Sequence, residues 1–114
     1  MFTLTYRGED GTPRTREVPE DPGGEVLIGR APTCTLVVIH PTISRQHARF
    51  SVRGGRCVLE DLGSTYGTLI DGQRITGEVV VAPGGTFSIG QVEFVCGRRE
   101  AEGARVVALS EERQ

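Results

Sequence analysis

The stretch SRQHARFSVRGGRCVLEDLGSTYGTLIDG, residues 44–72, decides the fold class of this chain. Apolar and polar residues alternate from 48 to 53, and this period of two predicts a strand with one buried face. A Gly-Gly pair follows at 54–55 and an Asp-Gly pair at 71–72. Glycine adopts the positive φ of tight hairpins at no steric cost, so these pairs predict sharp turns between short strands.

The same pattern continues on both sides of this stretch. Alternation returns at residues 2–6 and 92–96, and continuous apolar runs indicate more deeply buried strands at 26–28, 36–39, 79–81 and 87–89. Further turn signals lie at 10–11, 23–24, 83–85 and 90–91. No stretch before residue 98 has a persuasive helical period. Short strands at intervals of roughly ten residues predict an all-β antiparallel sandwich or barrel.

Length and charge restrict the function classes. The chain has 114 residues, which suits one domain that buries its own core. Its 13 basic residues, all arginine, nearly balance 15 acidic residues and give a net charge of −2. This balance argues against a protein that neutralises many phosphates of a nucleic acid, so we predict no nucleic-acid partner. It is compatible with a small basic pocket, because net charge does not report local placement.

The N-terminal segment and the cysteines bear on the cellular location and its redox state. No segment has the apolar length of a membrane helix, and residues 1–11 lack the basic start and apolar run of a signal peptide. Cys34, Cys57 and Cys96 are odd in number, form no CxxC pair and lie in apolar contexts, which indicates buried core thiols. We therefore expect a reduced, cytoplasmic location and no membrane partner.

Residues 98–114 differ in composition from the rest of the chain. They are polar at both ends around a small apolar group, Val106, Val107 and Leu109. We interpret residues 1–97 as the folded domain and residues 98–114 as a linker, tail or short docking element.

Three short pieces carry candidate chemistry: Gly29-Arg30, the Ser-Arg-Gln-His of residues 44–47, and the Gly-Ser-Thr-Tyr-Gly-Thr of residues 63–68. A guanidinium group forks onto two phosphate oxygens, and a neighbouring hydroxyl donates to the same anion. Backbone N–H groups in a glycine-rich turn add an anion-accepting concavity. Taken singly, each piece also fits an ordinary role, as a solvated arginine, a turn-capping serine or a simple glycine turn.

Two catalytic or metal-binding interpretations compete with anion binding. Ser44 and His47 have the residue types of a nucleophile and its base, but no carboxylate is placed in the sequence to orient the imidazole. We favour an imidazole that holds its loop by hydrogen bonds. Cys34, His40, His47 and Cys57 match no standard zinc spacing. We predict no catalytic residue, no metal and no cofactor.

The three pieces, with Asp61-Leu62 before the third and Ile70-Asp71-Gly72 after it, together resemble the forkhead-associated (FHA) domain. The resemblance spans Val26 to Phe94. It implies a β-sandwich of about eleven strands that binds a phosphothreonine peptide across loops at one end, in a family that reads phosphopeptides through arginines. It also implies a preference for phosphothreonine over phosphoserine and contact with a residue about three places downstream.

Position by position, the resemblance implies the site residues. Arg30 and Ser44 contact the phosphate, and Arg45 occupies a loop position that contacts phosphate or peptide. Thr65 lies near the phosphothreonine, and Tyr66 faces the peptide. The residues that shape and support the pocket are Gly29, His47, Gly63, Ser64 and Gly67.

One position departs from the family pattern. Tyr66 stands where an asparagine is common, and a phenol lacks the paired donor and acceptor of a carboxamide. We expect a changed peptide preference and weaker binding. Asp71 replaces another frequent asparagine, and the two are near equivalents in a turn.

The resemblance leads to a first hypothesis and leaves alternatives. The first is a phosphothreonine-dependent docking module in Ser/Thr kinase signalling, whose partner is a phosphorylated protein, a kinase or its substrate. The second is a phosphorylation-independent interaction or assembly module on the same fold, suggested by Tyr66 and by apolar surface candidates, Val58 and Val95. The third is a small hydrolase that uses Ser44 and His47.

Overall fold

The computed structural model describes residues 1–20 and 24–98, and these form eleven strands without a helix. The strands are β1 Phe2–Arg7, β2 Pro13–Val18, β3 Glu25–Gly29, β4 Leu36–Val37, β5 Ala48–Arg53, β6 Arg56–Asp61, β7 Thr68–Ile70, β8 Gln73–Arg74, β9 Glu78–Val81, β10 Thr86–Ile89 and β11 Val92–Arg98. The prediction of an all-β fold is confirmed.

Two sheets make up the sandwich. One has six strands in the order β2-β1-β11-β10-β7-β8, and the other has five in the order β4-β3-β5-β6-β9. Every pairing is antiparallel except that of β3 with the short edge strand β4. Within the described residues, no helix is long and apolar enough to cross a membrane.

Alternate residues of the strands build the core between the sheets. Four phenylalanines (Phe2, Phe50, Phe87 and Phe94) are buried there. The rings of Phe87 and Phe94 stack with centroids 5.3 Å apart, and Phe87 faces Phe50 of the other sheet at 6.2 Å. Burial of each such side chain stabilises the fold by about 1.5–3 kcal/mol. The alternation in the sequence therefore reports the core faces correctly.

One predicted strand is wrong in extent and in burial. The apolar run 36–39 was expected to form a buried strand, but β4 has only two residues. Val37 and Ile39 are 38% and 47% exposed. The strand is short because β4 lies at the edge of its sheet, with a neighbour on one side only. Only one face of the sheet packs on the core, so Leu36 and Val38 are buried and the residues between and after them are exposed.

Four strands have no counterpart among the predicted apolar runs: β2, β6, β7 and β8. Strand β2 is exposed along five of its six residues, and it pairs with β1 over its whole length. Strand β2 is therefore stabilised by its hydrogen bonds to β1 and by the hairpin turn rather than by burial of its own side chains.

The cysteine prediction is confirmed, since Cys34, Cys57 and Cys96 are buried and free. Strand β11 reaches Arg98, the first residue of the predicted tail. The rest of that tail, and Gly23 of the turn at 23–24, lie outside the described residues.

The sheet register brings three loops to one end of the sandwich. Ile28 pairs with Ala48, and Ala48 pairs with Asp61. Strand β3 ends, β5 begins and β6 ends at this level, so the loops 30–35, 38–47 and 62–67 leave the sheet together. All three candidate pieces of sequence lie on or beside these loops.

Candidate functional site

Arg30 begins the first loop, directly after β3. Its backbone N–H donates to Ser44 O at 3.0 Å, and its side-chain Nε donates to Ile43 O at 3.0 Å. The side chain is nevertheless exposed. These contacts with backbone carbonyls orient the guanidinium group. No residue in the described part of the chain bonds to its terminal nitrogens, Nη1 and Nη2, so both can donate to a ligand.

Gly29 is required by close approach of the second loop. A Cβ atom at this position would lie 2.1 Å from Arg45 O and 2.8 Å from Cys34 Sγ. No side chain fits there without displacing backbone. The glycine thus lets the loop that carries Ser44 and Arg45 pack against the end of β3.

Ser44 lies at the centre of the site and joins the second loop to the third. Its Oγ accepts a hydrogen bond from Thr65 N at 3.1 Å, across 21 residues of sequence. Because this bond uses an oxygen lone pair, the hydroxyl hydrogen remains available to donate to an anion. Its side chain is half-buried, so a ligand can reach it.

His47 is fully buried and holds both loops. Its Nδ1 accepts from Ser44 N at 3.0 Å, and its Nε2 donates to Gly67 O at 2.9 Å. This bonding pattern assigns the ring proton to Nε2 of a neutral imidazole. Burial lowers the pKa of His47, although the Gly67 carbonyl and the Asp61 carboxylate oppose the change. The ring therefore stays neutral at neutral pH and acts as a structural tie.

Asp61 organises the third loop, a role that was not predicted from the sequence. Its carboxylate accepts from Gly63 N, Ser64 N, Ser64 Oγ and Thr68 Oγ1 at 2.6–3.1 Å. Burial alone would raise the pKa of Asp61, but these hydrogen bonds together lower it. The available signal was the aspartate two residues before a glycine, a typical side-chain-capped turn.

Hydrogen bonds within the third loop, and one from a neighbouring strand, fix the remaining residues of its turn. Gly67 N donates to Ser64 Oγ at 2.9 Å, and Gly67 has a φ of 88°. Gly63, with a φ of 81°, makes the preceding bend. On the outer side, Arg74 of β8 donates from Nη2 to Ser64 O at 2.8 Å. No sequence signal distinguished Arg74 from the other arginines.

Arg45, Thr65 and Tyr66 project from the loops into solvent. The backbone of Arg45 is fixed, because its carbonyl accepts from Ala31 N and Cys34 Sγ, both at 3.1 Å. Its guanidinium group has no partner in the described residues. Tyr66 is 58% exposed. The fold thus places all five predicted ligand-contacting residues at one end of the domain.

The zinc interpretation finds no support in the described residues, where no three potential metal-ligating side chains cluster. His40 Nδ1 instead contacts Thr42, at 3.1 Å from its N and 2.8 Å from its Oγ1. Thr42 Oγ1 in turn accepts from Gln91 N at 2.9 Å, which ties the second loop to the β10–β11 turn.

The chemistry of this end suits an anion. It presents two guanidinium groups, of Arg30 and Arg45, and neither has a carboxylate partner among the described residues. Two hydroxyl groups, of Ser44 and Thr65, lie on the adjoining loops. The Asp61 carboxylate at the base is partly buried and already accepts four hydrogen bonds. A tetrahedral oxyanion at this end could contact positively charged guanidinium groups and hydroxyl donors together.

Known sequences match this chain across the three loops. A sequence model of the FHA domain matches residues 26–90, more than half of the chain and all three loops. The FHA domain-containing protein FhaB of Mycobacterium tuberculosis is 47% identical over 66 residues, which cover 58% of this chain and 43% of FhaB. The FHA domain-containing protein PS1 of Arabidopsis thaliana is 34% identical over 98 residues, or 79% of this chain and 7% of PS1. The chain spans less than half the length of these relatives.

Solved structures show the same fold. The FHA domain of CT664 from Chlamydia trachomatis superposes with a TM-score of 0.74 at 22% identity, over 87% of this chain and 98% of that one. The FhaA FHA domain, solved in complex with the intracellular domain of Rv3910, gives a TM-score of 0.71 at 28% identity, over 84% and 99%. The sequence match across the three loops and the shared sandwich show that this chain belongs to the FHA domain family.

Proposed function

We propose that this domain binds a phosphothreonine on a partner protein and acts as a docking module in Ser/Thr kinase signalling. The observation that carries the proposal is the Ser44 hydroxyl, whose oxygen accepts from Thr65 N, at the same end of the domain as Arg30 and Arg45, which lack carboxylate partners among the described residues. A phosphorylated side chain brings about −1.5 to −2 charges and three acceptor oxygens, which match these donors.

Arg30 supplies the main charge contact in this proposal. Its Nε already donates to Ile43 O, so the terminal nitrogens face outward without further ordering of the stem. Hydrogen bonds between charged groups contribute roughly 1.5–3 kcal/mol each, and preorganisation reduces the entropy lost on binding. Removal of the phosphate then weakens binding about tenfold for each 1.4 kcal/mol lost, which makes the interaction switchable by a kinase.

The relatives support a protein partner. The FhaA FHA domain was solved in complex with the intracellular domain of another protein, Rv3910. By analogy, we propose that the ligand here is a phosphorylated segment of a protein, such as a kinase or its substrate. The reduced, cytoplasmic location stays a prediction of the cysteine pattern.

The test is fluorescence anisotropy with three matched peptide libraries that carry phosphothreonine, phosphoserine or unmodified threonine. We expect binding to the phosphothreonine library, weaker binding to the phosphoserine library and none to the unmodified one. The selected sequences report the preference that Tyr66 imposes. Equal or absent binding to all three libraries contradicts the proposal.

A second candidate is phosphate-independent docking on the same fold. It is favoured by the 58% exposure of Tyr66 and the 40% exposure of Val95 on an outer sheet face. Val58, the other apolar surface candidate, is only half-buried rather than exposed. Tight binding to an unphosphorylated partner that survives Arg30→Ala and Ser44→Ala would replace the first proposal with this one.

Hydrolysis by Ser44 and His47 is disfavoured by the hydrogen bonds of the ring. Nδ1 accepts from the backbone N of Ser44, and Nε2 donates to Gly67 O. Neither nitrogen is hydrogen-bonded to Ser44 Oγ, so the imidazole is not placed to take its proton.

A further inference from the structure

The peptide group between Ser64 and Thr65 is held at both of its polar ends. Its carbonyl accepts from Arg74 Nη2 at 2.8 Å, and its N–H donates to Ser44 Oγ at 3.1 Å. We infer that Arg74 is a positioning residue of the phosphate site, which acts through this peptide group on the hydroxyl of Ser44. The inference rests on the proposed function, since it takes phosphate as the ligand of that hydroxyl.

The hydrogen bonds form a chain that runs in one direction. Arg74 donates to the carbonyl, the peptide N–H donates to Ser44 Oγ, and the Ser44 hydroxyl is left to donate to the ligand. Donors and acceptors arranged in series polarise one another and strengthen each bond. A guanidinium charge at the start of the chain therefore makes the Ser44 hydroxyl a better donor at its end, besides fixing its direction.

The fold holds Arg74 in place for this role. Strand β8 pairs with β7, with Arg74 opposite Leu69. The guanidinium lies against Gly67, where a Cβ atom would be 2.9 Å from Arg74 Nε. Among the described residues, no carboxylate competes for the Arg74 side chain. The missing side chain at Gly67 thus lets the arginine lie across the turn and reach Ser64 O.

A simpler role for Arg74 is long-range attraction of an anion, and the two roles predict different results. Attraction depends on charge alone and is independent of Ser44. Positioning depends on the hydrogen bond from Arg74 to Ser64 O, and it affects ligand binding only when the Ser44 hydroxyl is present. A double-mutant cycle between Arg74 and Ser44 separates them.

The experiment measures the affinity of a short phosphothreonine peptide for the whole chain. Arg74→Met keeps the aliphatic stem and removes the donors. We expect it to weaken binding about three- to tenfold, the value of one hydrogen bond. Arg74→Lys, which restores one donor, should recover most of the loss. In a Ser44→Ala background Arg74→Met should change affinity less than about twofold, whereas in an Arg30→Ala background its full effect should persist.

Arg56→Met is the matched control. Arg56 is exposed at the start of β6, at the opposite end of the sandwich, and has no side-chain partner among the described residues. It should leave affinity unchanged. Equal weakening by Arg74→Met with and without the Ser44 hydroxyl would overturn the inference, and so would unchanged affinity in Arg74→Met.

A ligand-free measurement keeps this test separate from the proposed function. By NMR, Arg74→Met should shift the Thr65 amide proton upfield and speed its hydrogen exchange, with Arg74→Lys between the two. If Arg30→Ala leaves phosphopeptide affinity unchanged, the proposed function fails while the Thr65 amide still reports on Arg74. An unaltered Thr65 amide in Arg74→Met shows that Arg74 does not position this peptide group, and overturns the inference.

Discussion

The loop end and the outer face of the five-stranded sheet use arginine in opposite ways. On the sheet face, Arg49 Nη1 lies 2.9 Å from Glu60, and Arg53 Nη2 lies 2.6 Å from Glu78. At the loop end, Arg30 and Arg45 have no carboxylate within the described residues, and Arg30 contacts only a backbone carbonyl through its side chain.

This difference distinguishes Arg30 and Arg45 from the paired arginines of the sheet face. The charge of a paired guanidinium group is already neutralised by its carboxylate partner. Exposed ion pairs of this kind contribute little to stability. An unpaired guanidinium beside oriented hydroxyl groups attracts an external anion. The same residue type is thus paired with a carboxylate in one region and unpaired, within the described residues, in the other, where we propose that it binds the ligand.

The most direct way to break the comparison is to remove one arginine from each region. Arg30→Ala should weaken phosphothreonine-peptide binding roughly 100-fold, because two charge-assisted hydrogen bonds are lost. Arg53→Ala is the matched control and should leave affinity unchanged. Anisotropy titration of both variants checks this. Similar affinities for the two variants would show that the unpaired arginines are not the binding groups.

The inward carboxylate is the next element to test. Asp61→Asn should lower the free energy of unfolding by about 2 kcal/mol, since hydrogen bonds to a charged acceptor become bonds to a neutral amide. Asp71→Asn, the same chemical change in an exposed turn at φ 52°, should have little effect. Urea denaturation of both variants provides the measurement. An equal loss of stability in the two would contradict the special role of Asp61.

The comparison is sharpened by giving the loop end a carboxylate of its own. Gln46 is exposed beside Arg45, so Gln46→Glu should partly neutralise the site. We expect phosphopeptide affinity to fall about three- to tenfold at low salt, and less at high salt because exposed charges are screened. Titration at two ionic strengths checks this. A decrease independent of salt would point to a steric cause.

The smallest expected effect concerns pH and His47. The pKa of His47 is lowered in the folded state from its usual 6.5, mainly by burial. The unfolded chain therefore binds a proton more readily, and stability is lost as pH falls from 6.5 towards the folded pKa. Denaturation between pH 5 and 7.5 should show this slope in the wild type and a reduced one in His47→Asn. His40 is present in both proteins, so equal slopes would exclude His47 as the source.

Much of the site could be predicted from the sequence. Gly29-Arg30, Ser44 and Thr65 were expected to meet, because they lie at strand ends in a recognisable order. The contributions of Asp61 and Arg74 were not predicted, since an aspartate before a turn and an exposed arginine are common and become informative only with their partners. The edge position of β4 was not predicted for a similar reason, because an apolar run does not indicate whether its strand pairs with one strand or with two.

The sequence by itself determined most of the strands, the buried faces of the alternating ones and the glycine turns, because alternation and glycine act within a few residues. It also determined that guanidinium and hydroxyl groups lie on three loops. Only the tertiary structure decided that Thr65 N meets Ser44 Oγ, that His47 is buried between the loops, and that no carboxylate of the described ranges pairs with Arg30 or Arg45. These facts depend on sheet register and on contacts across many residues, where the outcome is a competition among alternative partners that no local pattern encodes.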